Sequence, residues 1–267
     1  MAIVQETTPM EKQKAFTKEA IRLAAIADVH CGRTSQGALQ PLFSQINESA
    51  DILLLCGDLT NYGLPEEAQV LARELTAAVK IPVLVVLGNH DYESGKQNEV
   101  QQILFDAGIN VLDGTPYEIL GIGFAGVKGF AGGFGERALQ PWGEEIIKRF
   151  VHETVSEALK LESALAKLRT SQRVVLLHYS PIRATVEGEP YETFPFLGSS
   201  RLEEPLNRYS VTAVFHGHAH QGSLEGRTMG GIPVYNVSMP LLRQAFPERP
   251  PFSFVEIRTV SGTEKNM

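Results

Sequence analysis

A chain of 267 residues, 43% apolar and 21% charged, is long enough to bury a substantial core, which excludes disorder and bounds it at one large domain or two small ones. A formal net charge of −7 gives no footprint for generic nucleic-acid or membrane-surface binding, so an anionic substrate has to be attracted locally. No apolar run is long enough to span a bilayer and the first twenty or so residues lack a signal-peptide core, so the expected compartment is the cytoplasm, where Cys31 and Cys56 are expected to stay reduced.

Residues 1–18 are polar and aperiodic and are expected to form a loose N-terminal arm, with residues 19–267 as a single domain. The first buried strand is expected at Ile21–Ala27. The first crossover helix follows at Gly37–Glu48, where Leu39, Leu42, Phe43 and Ile46 are apolar, and the second strand at Ile52–Leu55. Pro65 stands where a helix N-terminus tolerates proline, and Glu66 and Glu67 follow in the positively polarised first turn, which predicts a helix to about Ala78. Val83–Leu87 is a third buried strand. The chain to this point reads βαβαβ, and right-handed crossovers make the sheet parallel. A helix is expected over Asn98–Ala107, short strands and turns over Asn110–Ala125, and one long amphipathic helix over Glu144–Arg169, a stretch without Gly or Pro. Strands at Arg173–Leu177, Val211–Phe215, Pro233–Val237 and Ser253–Arg258 complete the chain.

Gly121, Gly123 and Gly126 match a dinucleotide-binding fingerprint by letter. That motif needs a helix to open at once, whereas further glycines follow at Gly129, Gly132, Gly133 and Gly135, so the stretch reads as a glycine-rich hairpin and mobile loop.

The chemistry-bearing residues stand just past the carboxyl ends of strands, the edge where ligands bind in open α/β sheets. They are Asp28 and His30, then Gly57-Asp58, Gly88-Asn89-His90-Asp91, His178, and Gly217-His218-Ala219-His220. Singly, each has a structural explanation as a turn cap or a satisfied core histidine. Jointly, Asp28, His30, Asp58, Asn89, His178, His218 and His220 are oxygen and imidazole ligands converging on one crevice, and they suggest two metal ions sharing Asp58.

This ordered set resembles the calcineurin-like metallophosphoesterase superfamily, over residues 28 to 220. The resemblance implies an α/β fold, a four-layer α/β/β/α sandwich with a dinuclear site at the strand ends. It implies one metal held by Asp28, His30, Asp58 and His220, and a second by Asp58, Asn89, His178 and His218. Mixed oxygen and imidazole ligands suit two divalent ions of manganese, iron or zinc. Such a pair lowers the pKa of a bridging water, so that the nucleophile is a hydroxide and not a side chain, and it leaves a cationic centre in an acidic protein. In the family the histidine at the position of His90 faces the phosphate. Asp91 would hold the His90 ring, letting it stabilise charge or protonate the leaving oxygen.

Within the superfamily, protein phosphatases carry an acidic residue and an arginine after the second motif and Asn-His-Glu in the third. Here Leu59-Thr60-Asn61 and Asn89-His90-Asp91 stand instead. The expected reaction is hydrolysis of a small phosphodiester, such as a cyclic or other small nucleotide, without generic nucleic-acid or membrane partners. Monoester hydrolysis on the same centre, a DNA exonuclease and a non-catalytic scaffold are the alternatives. Specificity is expected in residues 129–142 and 183–200, where Tyr191, Phe194 and Phe196 stack on a base or pack the loop. Arg33, Lys128 and Arg183 are the basic residues best placed to touch substrate. His216 is expected to pack or to support the ligands from behind, His152 to lie on the flank of the long helix, and Cys31 to be a buried small residue.

Overall fold

The computed structural model describes residues 18–258, so the expected arm at residues 1–18 falls almost wholly outside the described residues. Strand β1 (Ala20–Ile26) leads through helix α1 (Gln40–Ser49) to β2 (Ile52–Cys56), and α2 (Pro65–Ala78) leads to β3 (Val83–Val86). Helix α3 (Gln97–Asp106), the short β4 (Asn110–Val111) and the hairpin of β5 (Tyr117–Ile119) with β6 (Ile122–Gly126) follow. The long α4 (Glu145–Lys167) precedes β7 (Gln172–Leu176), two short helices α5 (Phe194–Leu197) and α6 (Glu203–Arg208), and β8 (Ala213–His216). The described chain closes with β9 (Glu225–Arg227), β10 (Pro233–Asn236), α7 (Met239–Ala245) and β11 (Ser253–Arg258).

These strands form two sheets, ordered β11-β1-β2-β3-β4 and β5-β6-β7-β8-β10-β9. The inner strands β1 to β4 run parallel, as do β6, β7, β8 and β10, and antiparallel strands close three of the four edges. Side-chain alternation builds the layers. Ala24, Ile26, Leu53 and Leu55 face a core shared with α1, α2 and α3. Their neighbours Leu23, Ala25, Leu54 and Cys56 turn the other way and meet Phe124, Val174, Leu176 and Phe215 of the second sheet. The outer face of that sheet, through Ala125, Val175 and Val214, packs on Leu161 and Leu165 of α4 and on Leu206 of α6. Three cores between four layers give the α/β/β/α sandwich.

The first helix begins at Gln40 rather than Gly37. The buried Glu74 carboxylate accepts from the backbone N–H groups of Gly37 (2.7 Å) and Leu39 (3.1 Å), holding residues 36–39 as a turn ahead of the helix. The region 183–208 holds α5 and α6, elements of one or two turns that periodicity does not announce. Gly121 sits in the β5–β6 turn and Gly123 and Gly126 within β6, with no helix opening behind them. Cys31 and Cys56 are free and buried. Among the described residues no helix is long and apolar enough to cross a membrane.

Candidate metal centre

All the candidate ligands lie in loops past the carboxyl ends of β1, β2, β3, β7 and β8, on one rim of the sandwich. The first two loops are zipped side by side: Asp28 N–H donates to Gly57 O (3.0 Å), His30 N–H to Asp58 O (3.0 Å) and Cys31 N–H to Leu59 O (2.9 Å). That zipper holds Asp28, His30 and Asp58 in the left-handed region at φ of 59°, 43° and 48°, and His218 joins them at 70°. Each such residue carries roughly 1–2 kcal/mol of backbone strain, maintained only where surrounding contacts fix it. Glycine makes two of the approaches: a Cβ on Gly57 would lie 2.4 Å from His178 Nδ1, and one on Gly88 would lie 2.2 Å from Asp58 Oδ1.

The buried Asp58 carboxylate stands between two groups of histidines. Its Oδ1 lies 3.3 Å from His178 Nε2 and accepts from His90 N–H at 2.9 Å, while Oδ2 lies 3.8 Å from His30 Nε2 and 3.9 Å from His90 Nε2. The ligand-type atoms of Asp28, His30 and His220 form one cluster, those of Asp58, His178 and His218 another and those of His30, Asp58 and His90 a third, the atoms of each lying within 4.8 Å of one another. Asn89 Oδ1 sits 2.8 Å from His178 Nε2. All seven expected ligands are therefore brought together.

The donor chemistry of this set fits cations. His178 Nδ1 faces Cys56 O (3.1 Å), a carbonyl that can only accept, so Nδ1 carries the hydrogen. Nε2 is then the ring atom turned toward Asn89 Oδ1 and Asp58 Oδ1, so that one imidazole nitrogen and two side-chain oxygens converge. That convergence could hold a cation, and mixed oxygen and imidazole donors suit divalent transition metals. In the Asp28 cluster, His220 Nε2 lies 3.1 Å from Asp28 Oδ1. Burial pushes the Asp28 carboxyl up, but the His220 bond and the neighbouring histidine charges outweigh it and hold it at about 2. The same bond raises His220. Burial lowers His30, and takes His218 down to about 3, so His218 is neutral at ordinary pH.

Asp91 does not hold the His90 ring. The short helical turn at His90–Tyr92 sends the two side chains in opposite directions, His90 to the rim and Asp91 inward to full burial. Asp91 instead accepts from the N–H groups of Gly88 (2.7 Å), Leu59 (3.1 Å) and Thr60 (2.8 Å) and from Thr60 Oγ1 (2.5 Å). It stitches the Asp58 loop to the Asn89 loop. Burial pushes its carboxyl up to about 6 against the pull of those bonds. The ring is positioned by the Asn61 carbonyl, which accepts from His90 Nδ1 at 2.8 Å and leaves Nε2 to face the centre. A backbone carbonyl carries no residue-type signature, so the sequence gives no sign of this partner.

The basic residues sort differently from expectation. Lys128 is buried: its Nζ donates to Gly129 O (2.8 Å) within 4.7 to 5.3 Å of the ring centres of Phe130, Tyr92 and Tyr179, so it is not at the substrate edge. Arg183 pairs with Glu187 (2.8 Å) and stacks on Phe194, whereas Arg33 is exposed. His152 is exposed on α4. Burial pushes the Cys31 thiol up to about 11, consistent with a packing residue.

Residues 129–142 and 183–200 combine into one cap. Gly132 N–H donates to Pro195 O (2.8 Å), Gly133 N–H to Gly198 O (2.9 Å) and Ser200 N–H to Gly133 O (3.2 Å). The cap touches the centre through Phe196 O, which accepts from His218 Nε2 at 3.2 Å. Phe194 is buried beneath it, while Phe196 and Tyr191 are exposed.

Residues 21–222 match the model of a family described as calcineurin-like phosphoesterase. The probable glycerophosphodiester phosphodiesterase GpdQ of Arcobacter nitrofigilis is 25% identical over 186 residues, 67% of this chain and 60% of that protein. The glycerophosphodiester phosphodiesterase GpdQ of Enterobacter lignolyticus is 35% identical over 79 residues, 28% of this chain and 26% of the other. The chain thus spans about three fifths or less of the length of these curated relatives. Among solved structures, the phosphopantetheinyl hydrolase of Mycobacterium tuberculosis superposes with a TM-score of 0.62 at 17% identity, over 87% of this chain and 95% of that one. TT1561 of Thermus thermophilus superposes at 0.54 and 16%, over 90% and 99%. These likenesses bear on the fold.

Proposed function

The chain belongs to the calcineurin-like phosphoesterase family, and on that premise we propose that it hydrolyses a small phosphodiester at a centre of two divalent metals. It is a metal-dependent hydrolase. The observation that carries the two-metal reading is the Asp58 carboxylate, with one oxygen toward His178 and the other toward His30. Asp28, His30, Asp58 and His220 would hold one ion, and Asp58, Asn89, His178 and His218 the second, each of them manganese, iron or zinc. The ions would acidify a water between them and polarise the phosphoryl oxygens.

The remaining work falls to residues of the chain. Asn61 O fixes the hydrogen of His90 on Nδ1. His90 Nε2, half-exposed on the rim, is then the atom that takes up a second proton, and the imidazolium so formed would pass it to the leaving alkoxide and return to the neutral Nδ1–H form. Asp91 acts one layer further back, by holding the backbones of Asp58 and Asn89 in register. Diester over monoester is supported by the names of the two curated relatives. The free cysteines support a cytoplasmic location.

The test is hydrolysis of bis(p-nitrophenyl) phosphate and p-nitrophenyl phosphate by chelated and remetallated protein, with Asp58→Asn as control. The diester should be cleaved faster and only with metal, and the variant should lose on the order of three powers of ten, ~4 kcal/mol of barrier lowering. Faster cleavage of the monoester would overturn the substrate class. Full metal content without hydrolysis of either would point to a binding protein.

A further inference from the structure

His216 ends β8 two residues before His218 and is fully buried, yet it is outside all three metal-compatible clusters. Its two ring nitrogens are bonded to two different parts of the rim. Nδ1 lies 2.8 Å from the Gly217 carbonyl, which can only accept, so Nδ1 carries the hydrogen. Nε2 is then an acceptor, and Thr185 Oγ1 donates to it at 2.8 Å. Thr185 belongs to the opening turn of the cap and is itself 2.8 Å from Ser180 Oγ, which bonds Ile182 O at 2.8 Å. The Gly217 peptide, in turn, opens the left-handed step at His218, whose N–H is held by the Asp28 carboxylate at 3.1 Å.

From this geometry we infer that His216 is a positioning residue that ties the cap to the metal-ligand turn. Its Nδ1 end fixes the peptide that aims His218, and its Nε2 end fixes the start of the segment that reaches over the centre and returns Phe196 O to the same His218. One imidazole thus sets both the ligand and the surface that meets the substrate. The substrate half of this inference rests on the phosphodiesterase reading; the ligand half does not.

The two ends separate by substitution. In His216→Asn the amide nitrogen falls near the Nδ1 position and retains the Gly217 bond while losing Thr185. In His216→Gln the longer amide reaches Thr185 and gives up Gly217. Thr185→Val removes the cap bond from the opposite side at nearly constant volume. Manganese affinity of the chelated protein is measured by titration calorimetry, and kcat and KM are measured with bis(p-nitrophenyl) phosphate. His216→Gln should weaken manganese binding by about 10- to 100-fold, the usual effect of removing a group that orients a metal ligand, with little change in KM. His216→Asn and Thr185→Val should keep manganese affinity and raise KM about fivefold, the effect of one neutral hydrogen bond. Equal losses of affinity and KM in both His216 variants, or unchanged values throughout, would reduce His216 to a packing residue and overturn the inference. So would a Thr185→Val protein that fails to track His216→Asn. Should the wild-type protein cleave no phosphoester, the phosphodiesterase reading fails, while manganese titration still decides whether His216 aims His218.

Discussion

The two sheets contribute to the centre in different ways. The loops after β1, β2 and β3 bring Asp28, His30, Asp58, Asn89 and His90, and they are bound to one another by backbone hydrogen bonds and by Asp91. The loops after β7 and β8 bring His178, His218 and His220, and His218 is secured from outside its own loop, by Asp28 and by the cap carbonyl of Phe196. The first half is stitched internally by a buried carboxylate, whereas the second, joined within itself by Gly217 N–H to His178 O (3.2 Å), also leans on Asp28 of the first half and on the cap. Changes at the non-ligand residues of the first half, His90 and Asp91, should therefore be felt as lost chemistry or lost stability, and changes at the supports of the second, His216 and the cap, as altered metal and substrate affinity.

His90→Ala tests the first half most severely. It should lower kcat by about 10²- to 10⁴-fold, the contribution of a positioned proton donor, while metal content measured by elemental analysis stays at the wild-type value. Metal loss in step with activity would make His90 a ligand and redraw the division between the halves. Asp91→Ala comes next: it leaves buried N–H groups of Leu59, Thr60 and Gly88 without their acceptor, which should cost about 3 kcal/mol in denaturant unfolding. An effect below about 0.5 kcal/mol would show that the loops are zipped without it.

The smallest expected effect concerns Lys128, at the seam between the halves under Tyr92 and Tyr179. Burial lowers its pKa despite the nearby Glu157. Between that lowered value and the ordinary one near 10.5 the unfolded chain binds the proton more tightly, so this residue makes stability rise with pH. Lys128→Met should remove that rising contribution, so the alkaline limb of the melting-temperature profile should have a more negative slope than in wild type. A parallel profile would mean that the amine is as well solvated folded as unfolded.

Much of this arrangement is legible in the sequence because each ligand run directly follows a buried apolar strand. Ile52–Leu55 before Gly57-Asp58 signals both the strand and the turn that exposes the carboxylate. That both faces of these strands are covered follows from the same runs, whereas the four-layer order is what the family resemblance implies. What escapes is set by distance between loops. Nothing in His90-Asp91 says which side chain turns inward, and the carbonyls of Asn61 and Phe196 act through atoms that every residue has. Lys128 reads as an exposed cation until Tyr92, Phe130 and Tyr179, from three separate segments, close around it.

The left-handed residues Asp28, His30, Asp58 and His218 bear on how the centre responds to substitution. Their backbone strain is met within the chain, by the loop zipper and by the Asp28 carboxylate that accepts from His218 N–H. The aim of these four side chains is therefore set by peptide groups belonging to other loops, so a substitution that unzips the loops releases the strain and misdirects the side chains in one event, even where it leaves every one of the four residues in place.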